Sequence, residues 1–392
     1  MSGGWLSRAR RYVDRDPYMI AGYRTYGSAT RVLVRGRAME DEGVRPAGER
    51  DSLWRNLLNS YRRIEADPLH HARVRASVGG ATTELTADDE GFFSGWIELP
   101  RPIEDRGWIP IDLELLSPAG AHATSIASKA EALIAPASAR FMVISDIDDT
   151  VLQSHVTSLV QAFRTVLLGN ARTRLPFPGV AAFYRALHAG ASGGEENPIF
   201  YVSSSPWNLY DLLVDFLSHQ GIPAGPLTLR DWDVSARALM GGHLKSFKSG
   251  AIDEIMRTFA ELPVILIGDS SQRDPEIYRD IVREYPDRVL AVYIRDVKRT
   301  PERHAALAAL VREVEAARSV LVIADDTMAA ARHAAERGYI DARALPEIGG
   351  EKRMDEATAP GKVGAPAATA DSSAPPAVVD AEQGHNEGPT PR

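Results

Sequence analysis

The sequence contains no cysteine, which excludes disulfide-stabilised scaffolds, thiol nucleophiles and cysteine-ligated zinc or iron–sulfur centres. It also lacks an excess of basic residues, since 45 Lys and Arg against 53 Asp and Glu leave a net charge of −8. No apolar run approaches the ~18 residues of a membrane span, and the N-terminus does not resemble a secretory signal. We therefore expect a cytoplasmic protein with no nucleic-acid partner.

Composition divides the 392 residues into four segments. Residues 1–27 form a basic N-terminal segment, residues 28–136 a β-rich domain, and residues 137–347 an α/β domain. Residues 348–392 form an Ala- and Pro-rich tail, in which no aromatic residue, Leu or Ile occurs from Gly350 onwards. Such a composition cannot bury enough apolar surface to offset the entropy of ordering, so we predict a disordered tail.

The β-rich domain shows the period-two alternation that is typical of strands, at 30–36, 73–76 and 111–115. A further aromatic strand is predicted over 92–99, and one helix from about Asp51 to Tyr61. Short strands at this spacing predict a small β-sandwich. The domain offers no reactive group of residues, so we expect it to bind or support a protein partner of unknown identity.

From residue 139 apolar runs alternate with helical stretches. This pattern predicts a doubly wound parallel sheet that is covered by helices on both faces. Six strands are predicted, over 141–145, 199–203, 226–229, 264–268, 289–294 and 320–324. Ligands of such sheets bind at the carboxyl ends of the strands, which directs attention to the residues that follow each run.

Polar groups follow three of these runs. Asp146 and Asp148 come after the first run, Ser203 after the second, and Asp269 after the fourth, while Lys248 opens a helix. Taken singly, such residues cap helices, form turns or lie in solvent. Their combination at one edge favours a site instead, because converging carboxylates repel each other unless a cation lies among them.

Oxygen ligands of this kind favour Mg²⁺ over zinc. A dianionic phosphate needs such a cation, together with a Lys, before a carboxylate can approach its phosphorus. Attack by an Asp would give an aspartyl-phosphate. A second acid two residues later, on the same side of an extended segment, would protonate the leaving oxygen and then activate water.

This set of motifs resembles the haloacid-dehalogenase (HAD) superfamily of phosphohydrolases. Their longer forms are similar to the catalytic domain of the App1-type phosphatidate phosphatases: SDIDDT from residue 145, YVSSSPWNLY from residue 201 and IGDSSQRDPEIY from residue 267. The similarity covers residues 140–299 and extends towards 339. It implies a HAD-like doubly wound sheet with a minimal cap, and Mg²⁺-dependent hydrolysis of phosphatidate to diacylglycerol and phosphate.

The resemblance also implies roles for the acidic residues. Asp146 would be the nucleophile and a Mg²⁺ ligand, and Asp148 would be the general acid and base and lend its backbone carbonyl to the metal. Thr150 would order the loop that carries them. Asp269 would bind the metal directly or through water, and Asp274 would complete the acidic site.

Two further roles have alternatives. Ser203 would hold a phosphoryl oxygen, with Ser204 or Ser205 as alternatives, and Ser204 is also a candidate substrate contact. Lys248 would neutralise the nucleophile and the phosphate, with Lys245 as the alternative. We favour Lys248 because the apolar spacing after it places it in the first turn of a buried-face helix.

The segment 151–178 is too short for a large lid, so the predicted site is open and suits a phosphate on a bulky group. Apolar residues recur in it at helical spacing, and it carries Arg164, Arg172 and Arg174 without any acid. A basic amphipathic helix of this kind can lie at an anionic membrane surface, which predicts peripheral contact with a phospholipid substrate. The same apolar face would also suit packing against the rest of the protein.

Two other functions compete with this interpretation. The same chemistry would serve a phosphoprotein, a nucleic-acid end or a soluble phosphate ester. Alternatively, the β-rich domain would dock a partner while the phosphatase site is vestigial, although no catalytic residue of the motifs is missing.

Overall fold

The structure is a computed structural model that describes residues 17–41, 66–118, 125–147, 178–230, 243–270, 273–296, 300–316, 319–324 and 326–357. Several predicted features lie outside these residues. They are the helix over 51–61, the basic insertion after residue 150, and the tail beyond 357.

The N-terminal domain consists of eight strands. They are β1 (Tyr18–Gly22), β2 (Arg24–Gly27), β3 (Arg31–Glu40), β4 (Arg73–Val78), β5 (Ala81–Thr86), β6 (Phe92–Glu98), β7 (Gly107–Ser117) and β8 (Ala127–Ile134). All belong to one sheet, in which β2 and β8 run parallel and the other pairs are antiparallel.

This single sheet curves around its own core rather than forming two separate sheets. The long strand β3 pairs with β1 and β2 on one side and with β6 on the other. Valine, isoleucine and alanine side chains of alternate positions fill the interior. The domain also begins earlier than the predicted boundary at residue 28, because β1 and β2 pair with strands of the sheet.

The second domain contains a six-stranded sheet whose strands all run parallel, in the order β11-β10-β9-β12-β13-β14. All six predicted strands are confirmed. They are β9 (Met142–Asp146), β10 (Ile199–Pro206), β11 (Leu227–Arg230), β12 (Val264–Asp269), β13 (Val289–Arg295) and β14 (Leu321–Ala324).

Helices cover both faces of this sheet, as the alternating pattern predicts. The helices are α1 (Val180–Ala189), α2 (Tyr210–His219), α3 (His243–Thr258), α4 (Asp274–Glu284), α5 (Pro301–Ala316), α6 (Thr327–Glu336) and α7 (Leu345–Ala357). Within β9, Val143 packs with α1 and α2, whereas Met142 and Ile144 pack with α3 to α5. No helix within the described ranges combines the length and apolarity needed to cross a bilayer.

Helix α7 lies where the sequence predicts the start of the disordered tail. Ile348 is buried in the core of the α1 face, and Glu351 accepts a hydrogen bond from Arg185 of α1 at 2.7 Å. Lys352 contacts Asp326, which caps α6 by accepting a hydrogen bond from the Ala329 N–H at 2.9 Å. These long-range contacts offset the ordering entropy that the local composition alone could not.

Two glycine-to-alanine substitutions are expected to change stability in opposite directions. A Cβ at Gly36 would lie 2.5 Å from the Ala21 carbonyl oxygen, so Gly36→Ala should lower the free energy of unfolding by about 1–3 kcal/mol. A Cβ at Gly250 in α3 meets nothing within 4 Å, so Gly250→Ala should raise it by about 0.5–1 kcal/mol. Urea unfolding of both variants measures this, and equal effects would contradict the packing described for β3.

Candidate active site

Asp146 is the last residue of β9, the strand at the centre of the parallel sheet. It lies level with Val202 of β10 on one side, and the preceding Ser145 lies level with Ile267 of β12 on the other. The Asp146 side chain is only 3% exposed. A carboxylate at this depth must be neutralised or protonated, because burial disfavours its charged form.

Two further carboxylates meet Asp146 at the same edge of the sheet. Asp269 ends β12, and Asp274 begins α4 after a short loop. One carboxylate oxygen from each of the three residues lies within 4.8 Å of the others. Asp146 lies more than a hundred positions before the other two in the sequence, and the parallel pairing of β9 with β12 brings it to them.

Gly268 allows this close approach. A Cβ at this position would lie 2.7 Å from Oδ2 of Asp274 and 2.9 Å from the ring of Tyr278. The Tyr278 hydroxyl in turn donates a hydrogen bond to the Ile267 carbonyl at 2.8 Å, which ties α4 to β12. Any larger residue at 268 would therefore push Asp274 away from the other two carboxylates.

Lys248 supplies a positive charge to the cluster from the second turn of α3, because the helix begins at His243 and not at Lys248 as predicted. Its Nζ lies 2.9 Å from Oδ1 of Asp146 and 3.0 Å from Oδ1 of Asp274, and its side chain is 4% exposed. Burial raises the pKa of the Asp274 carboxyl, and the Lys248 ammonium counteracts part of that rise. The structure describes no side chain for Lys245, the alternative candidate.

The donor set fits a hard divalent cation. Three buried carboxyl groups converge beside the Lys248 ammonium, so their full ionisation leaves two negative charges that this ammonium does not offset. Carboxylate oxygens are the ligands that Mg²⁺ and similar ions prefer. Asp146, Asp269 and Asp274 are therefore the side chains that would hold such an ion.

A serine segment, residues 203–205 in the last part of β10, lies beside the carboxylates. Ser203 is fully buried, and its hydroxyl donates a hydrogen bond to Oγ of Ser205 at 2.8 Å. The Ser205 N–H donates back to Oγ of Ser203 at 3.1 Å. The second bond closes a side-chain turn within β10, where the strand register shifts between Val202 and Pro206, and we call residues 203–205 the serine turn. Val202, next to this turn, pairs with Asp146. Ser203, Ser204 and Ser205 all stay candidates for phosphate contact.

Five predicted site residues lie outside the part of the chain that the structure describes. They are Asp148, Thr150, Arg164, Arg172 and Arg174. The structure thus brings together Asp146, Lys248, Asp269 and Asp274, with the serine turn beside them, and does not place the remaining predicted residues.

Two residues at the site are not among the site residues predicted from the sequence. Arg295 ends β13 level with Asp269, where the rule of inspecting strand ends would have found it. Tyr184 of α1 is fully buried, which raises the pKa of its hydroxyl to about 12, and that hydroxyl lies 2.7 Å from Oγ of Ser145. No sequence signal distinguishes Tyr184 from an ordinary core residue of an amphipathic helix.

A largely apolar cavity adjoins the acidic cluster. Its charged lining residues are Asp146, Asp269, Arg295 and Asp326. Its walls come from α1, α2 and the loop after α2, and they include Val180, Phe183, Leu213, Phe216, Leu217 and Ile222. The site therefore combines charged groups for an anion with an adjacent surface for an apolar group.

Residues 141–296 match a family described as "Phosphatidate phosphatase APP1, catalytic domain". The chain is 31% identical over 154 residues to phosphatidate phosphatase APP1 of Saccharomyces cerevisiae, a match that covers 39% of this chain and 25% of that protein. It is 28% identical over 158 residues to an uncharacterized protein of Schizosaccharomyces pombe, covering 40% and 25%. The matched region thus spans about a quarter of the length of these relatives.

Solved structures add little to these matches. A carbohydrate acetylesterase from Xanthomonas citri is 12% identical, covers 74% of this chain and 72% of its own, and gives a TM-score of 0.24. Likeness at this level supports no inference about function.

Mg²⁺ is expected to raise the apparent melting temperature of metal-free protein, because it relieves repulsion within the carboxylate cluster. At saturation the rise should be about 3–8 °C. Asp269→Asn removes one ligand and should abolish most of the shift. The control Asp112→Asn changes an Asp that is 71% exposed on β7 and should keep the full shift. An unchanged shift in Asp269→Asn, measured by scanning fluorimetry, would exclude this metal site.

Proposed function

On the premise that residues 141–296 form an App1-type catalytic domain, we propose that the protein is a phosphatidate phosphatase. It would hydrolyse the phosphate monoester of phosphatidate and release diacylglycerol and inorganic phosphate. The observation that carries this proposal is the Asp146 carboxylate at the end of the central strand, held by Lys248 and grouped with two further carboxylates. This is the constellation that the sequence motifs predict.

The proposal includes a HAD-like fold for the second domain. In support, the candidate nucleophile ends the central strand β9, and Ser203, Lys248 and Asp269 lie on the elements in which the superfamily motifs occur. In the parallel sheet, β10 and β12 are the two neighbours of β9.

In the first chemical step, a carboxylate oxygen of Asp146 attacks the phosphorus. A new oxygen–phosphorus bond forms while the bond between phosphorus and the glycerol oxygen breaks, and that oxygen takes a proton from Asp148. The Lys248 ammonium holds Oδ1 of Asp146 at 2.9 Å, which fixes the orientation of the carboxylate and offsets the charge of the approaching phosphate.

In the second step, Asp148 removes a proton from water, and the water oxygen attacks the aspartyl-phosphate. The bond between Asp146 and phosphorus breaks, which frees inorganic phosphate and restores the carboxylate. A serine of the 203–205 turn would donate a hydrogen bond to a phosphoryl oxygen. A divalent cation held by Asp146, Asp269 and Asp274 would neutralise phosphate charge at this site, and we propose Mg²⁺.

The cavity favours a phosphate ester with an apolar group next to the phosphate, which a lipid provides. It has a volume of about 90 Å³, adjoins Asp146 and is lined mostly by apolar side chains. Removing apolar surface from water favours the binding of acyl-chain methylenes, at about 0.8 kcal/mol for each buried CH₂. We further propose that the protein contacts a phospholipid membrane peripherally to reach this substrate.

Replacement of the nucleophile should abolish turnover while leaving the fold intact. Asp146→Asn is expected to lower kcat for phosphatidate by a factor of about 10³ or more, with a melting temperature near that of the wild type. The control Asp112→Asn should keep wild-type turnover, since this side chain lies on the surface of the β domain. Phosphate release is measured by a malachite-green assay in Mg²⁺. Normal turnover in Asp146→Asn would disprove the aspartyl-phosphate mechanism.

The lipid assignment predicts selective effects of a cavity substitution. Leu213 lines the cavity on α2, whereas Leu310 is similarly buried on α5 and does not line it. Leu213→Ala and Leu310→Ala should both lower stability by about 2–5 kcal/mol. Only Leu213→Ala should also lower kcat/KM for phosphatidate vesicles, by about tenfold, while leaving glycerol 3-phosphate turnover unchanged. Faster wild-type turnover of glycerol 3-phosphate than of phosphatidate would contradict a lipid substrate.

A further inference from the structure

Glu254 connects the Lys248 helix to the β domain. It lies on α3 six residues after Lys248, and its two carboxylate oxygens face the β domain. Tyr26 of β2 donates a hydrogen bond to Oε2 at 3.2 Å, and Trp96 of β6 donates one to Oε1 at 3.3 Å. The guanidinium of Arg35 in β3 lies 3.9 Å from Oε2. Three strands of the β domain thus hold a single side chain of the helix.

A second contact joins the β domain to the segment that follows the serine turn. The Tyr23 ring stacks on Trp207, with centroids 5.3 Å apart and planes at 6°, and lies 4.1 Å from the Tyr210 ring. The backbone N–H of Arg24 donates a hydrogen bond to the Tyr210 hydroxyl at 2.6 Å. Trp207 comes two residues after Ser205, so this contact lies directly beyond the candidate phosphate-binding turn.

Arg35 takes part in both contacts. Besides facing Glu254, its guanidinium lies 5.4 Å from the centroid of the Trp207 ring, within the range of a cation–π interaction. Arg35 therefore touches one residue of the Lys248 helix and one residue of the serine segment. The Arg35 side chain is 20% exposed and that of Glu254 is 38% exposed, so the ion pair is partly open to solvent.

The two elements that the β domain contacts, α3 and the serine segment, carry side chains that must be correctly positioned for the proposed reaction. Lys248 reaches Asp146 and Asp274 from α3, and the serines approach Asp146 from the end of β10. A misplacement of such groups by about 1 Å can cost two orders of magnitude in rate. The β domain contacts both elements, so it can hold Lys248 and the serines in a fixed position relative to each other.

We propose that the β domain is a positioning part of the catalytic unit, and that Arg35 is its central positioning residue, acting through Glu254 on Lys248 and through Trp207 on the serine turn. This inference rests on the proposed phosphatase activity. It gives the β domain a role within its own chain, because the face that carries Tyr23, Tyr26, Arg35 and Trp96 is occupied by the catalytic domain.

The test compares Arg35→Ala and Glu254→Gln with a matched ion pair elsewhere in the β domain. Arg75 and Glu114 are 2.7 Å apart on β4 and β7, with side chains exposed to a similar extent as Glu254, so Arg75→Ala and Glu114→Gln serve as controls. The full chain is assayed with para-nitrophenyl phosphate, a soluble ester that does not depend on the lipid assignment. Melting temperature, kcat, KM and the inhibition constant of orthovanadate are measured for each variant.

We expect Arg35→Ala and Glu254→Gln to lower kcat by about 10–100-fold with KM changed less than about threefold. Orthovanadate adopts the five-coordinate geometry of the transferring phosphoryl group, so its affinity should fall in parallel with kcat. The double variant should have a kcat no lower than that of the more affected single variant, because both substitutions remove the same contact between Arg35 and Glu254. Arg35→Lys keeps the charge and should recover part of kcat. The controls should stay within about twofold of wild type.

The outcomes separate the two hypotheses. If the wild type hydrolyses no phosphomonoester, the proposed function fails and this inference fails with it. If the wild type is active and Arg35→Ala and Glu254→Gln match the controls, the positioning role alone is wrong. A fall in kcat with unchanged orthovanadate affinity would indicate only a smaller folded fraction, and would also overturn the inference. If Arg35→Ala fails to fold, the same measurements on Glu254→Gln and Arg35→Lys test the inference.

Discussion

The ion pairs of Lys248 with Asp146 and Asp274 are the interactions on which the rest of the site depends. Three carboxyl groups at this depth repel each other, and burial disfavours the ionised form of each. The Lys248 ammonium, at 2.9 and 3.0 Å from two of them, permits their close approach. A parallel sheet and a helix packed against it are needed to deliver these groups from separate parts of the chain to one edge.

The position of Lys248 also depends on the N-terminal domain. Lys248 comes from a helix, and a helix can shift along the sheet unless further contacts hold it. Glu254 on the same helix is held by residues of β2, β3 and β6, and aromatic stacking fixes the segment after the serine turn. The two domains consequently share cores: Tyr23 packs into the core on one face of the parallel sheet, and Tyr26 into the core on the other.

Much of the site could be predicted because catalytic groups in doubly wound sheets follow strand ends. Asp146 and Asp269 lie where an apolar run stops, and Lys248 precedes a clear apolar helix face. Arg295 obeys the same rule and was missed only because its strand had no motif. Glu254, Arg35 and Tyr23 could not be found in this way. Each looks like an ordinary surface or strand residue until its contacts in the other domain, about 160 to 230 residues away in sequence, are in place.

Local patterns in the sequence were enough to determine the six parallel strands, the helices between them and the identity of the acidic cluster, since alternation and helical spacing act over a few residues. Features that depend on contacts between distant parts of the chain were visible only in the tertiary structure. Strand pairing drew residues 18–27 into the β domain, and burial of Ile348 ordered a helix where composition predicted disorder. The tertiary structure also determined the distances from Lys248 to Asp146 and Asp274 and the contacts that Arg35 makes. The physical reason is that burial and ion pairing depend on neighbours in space, and a one-dimensional pattern does not contain them.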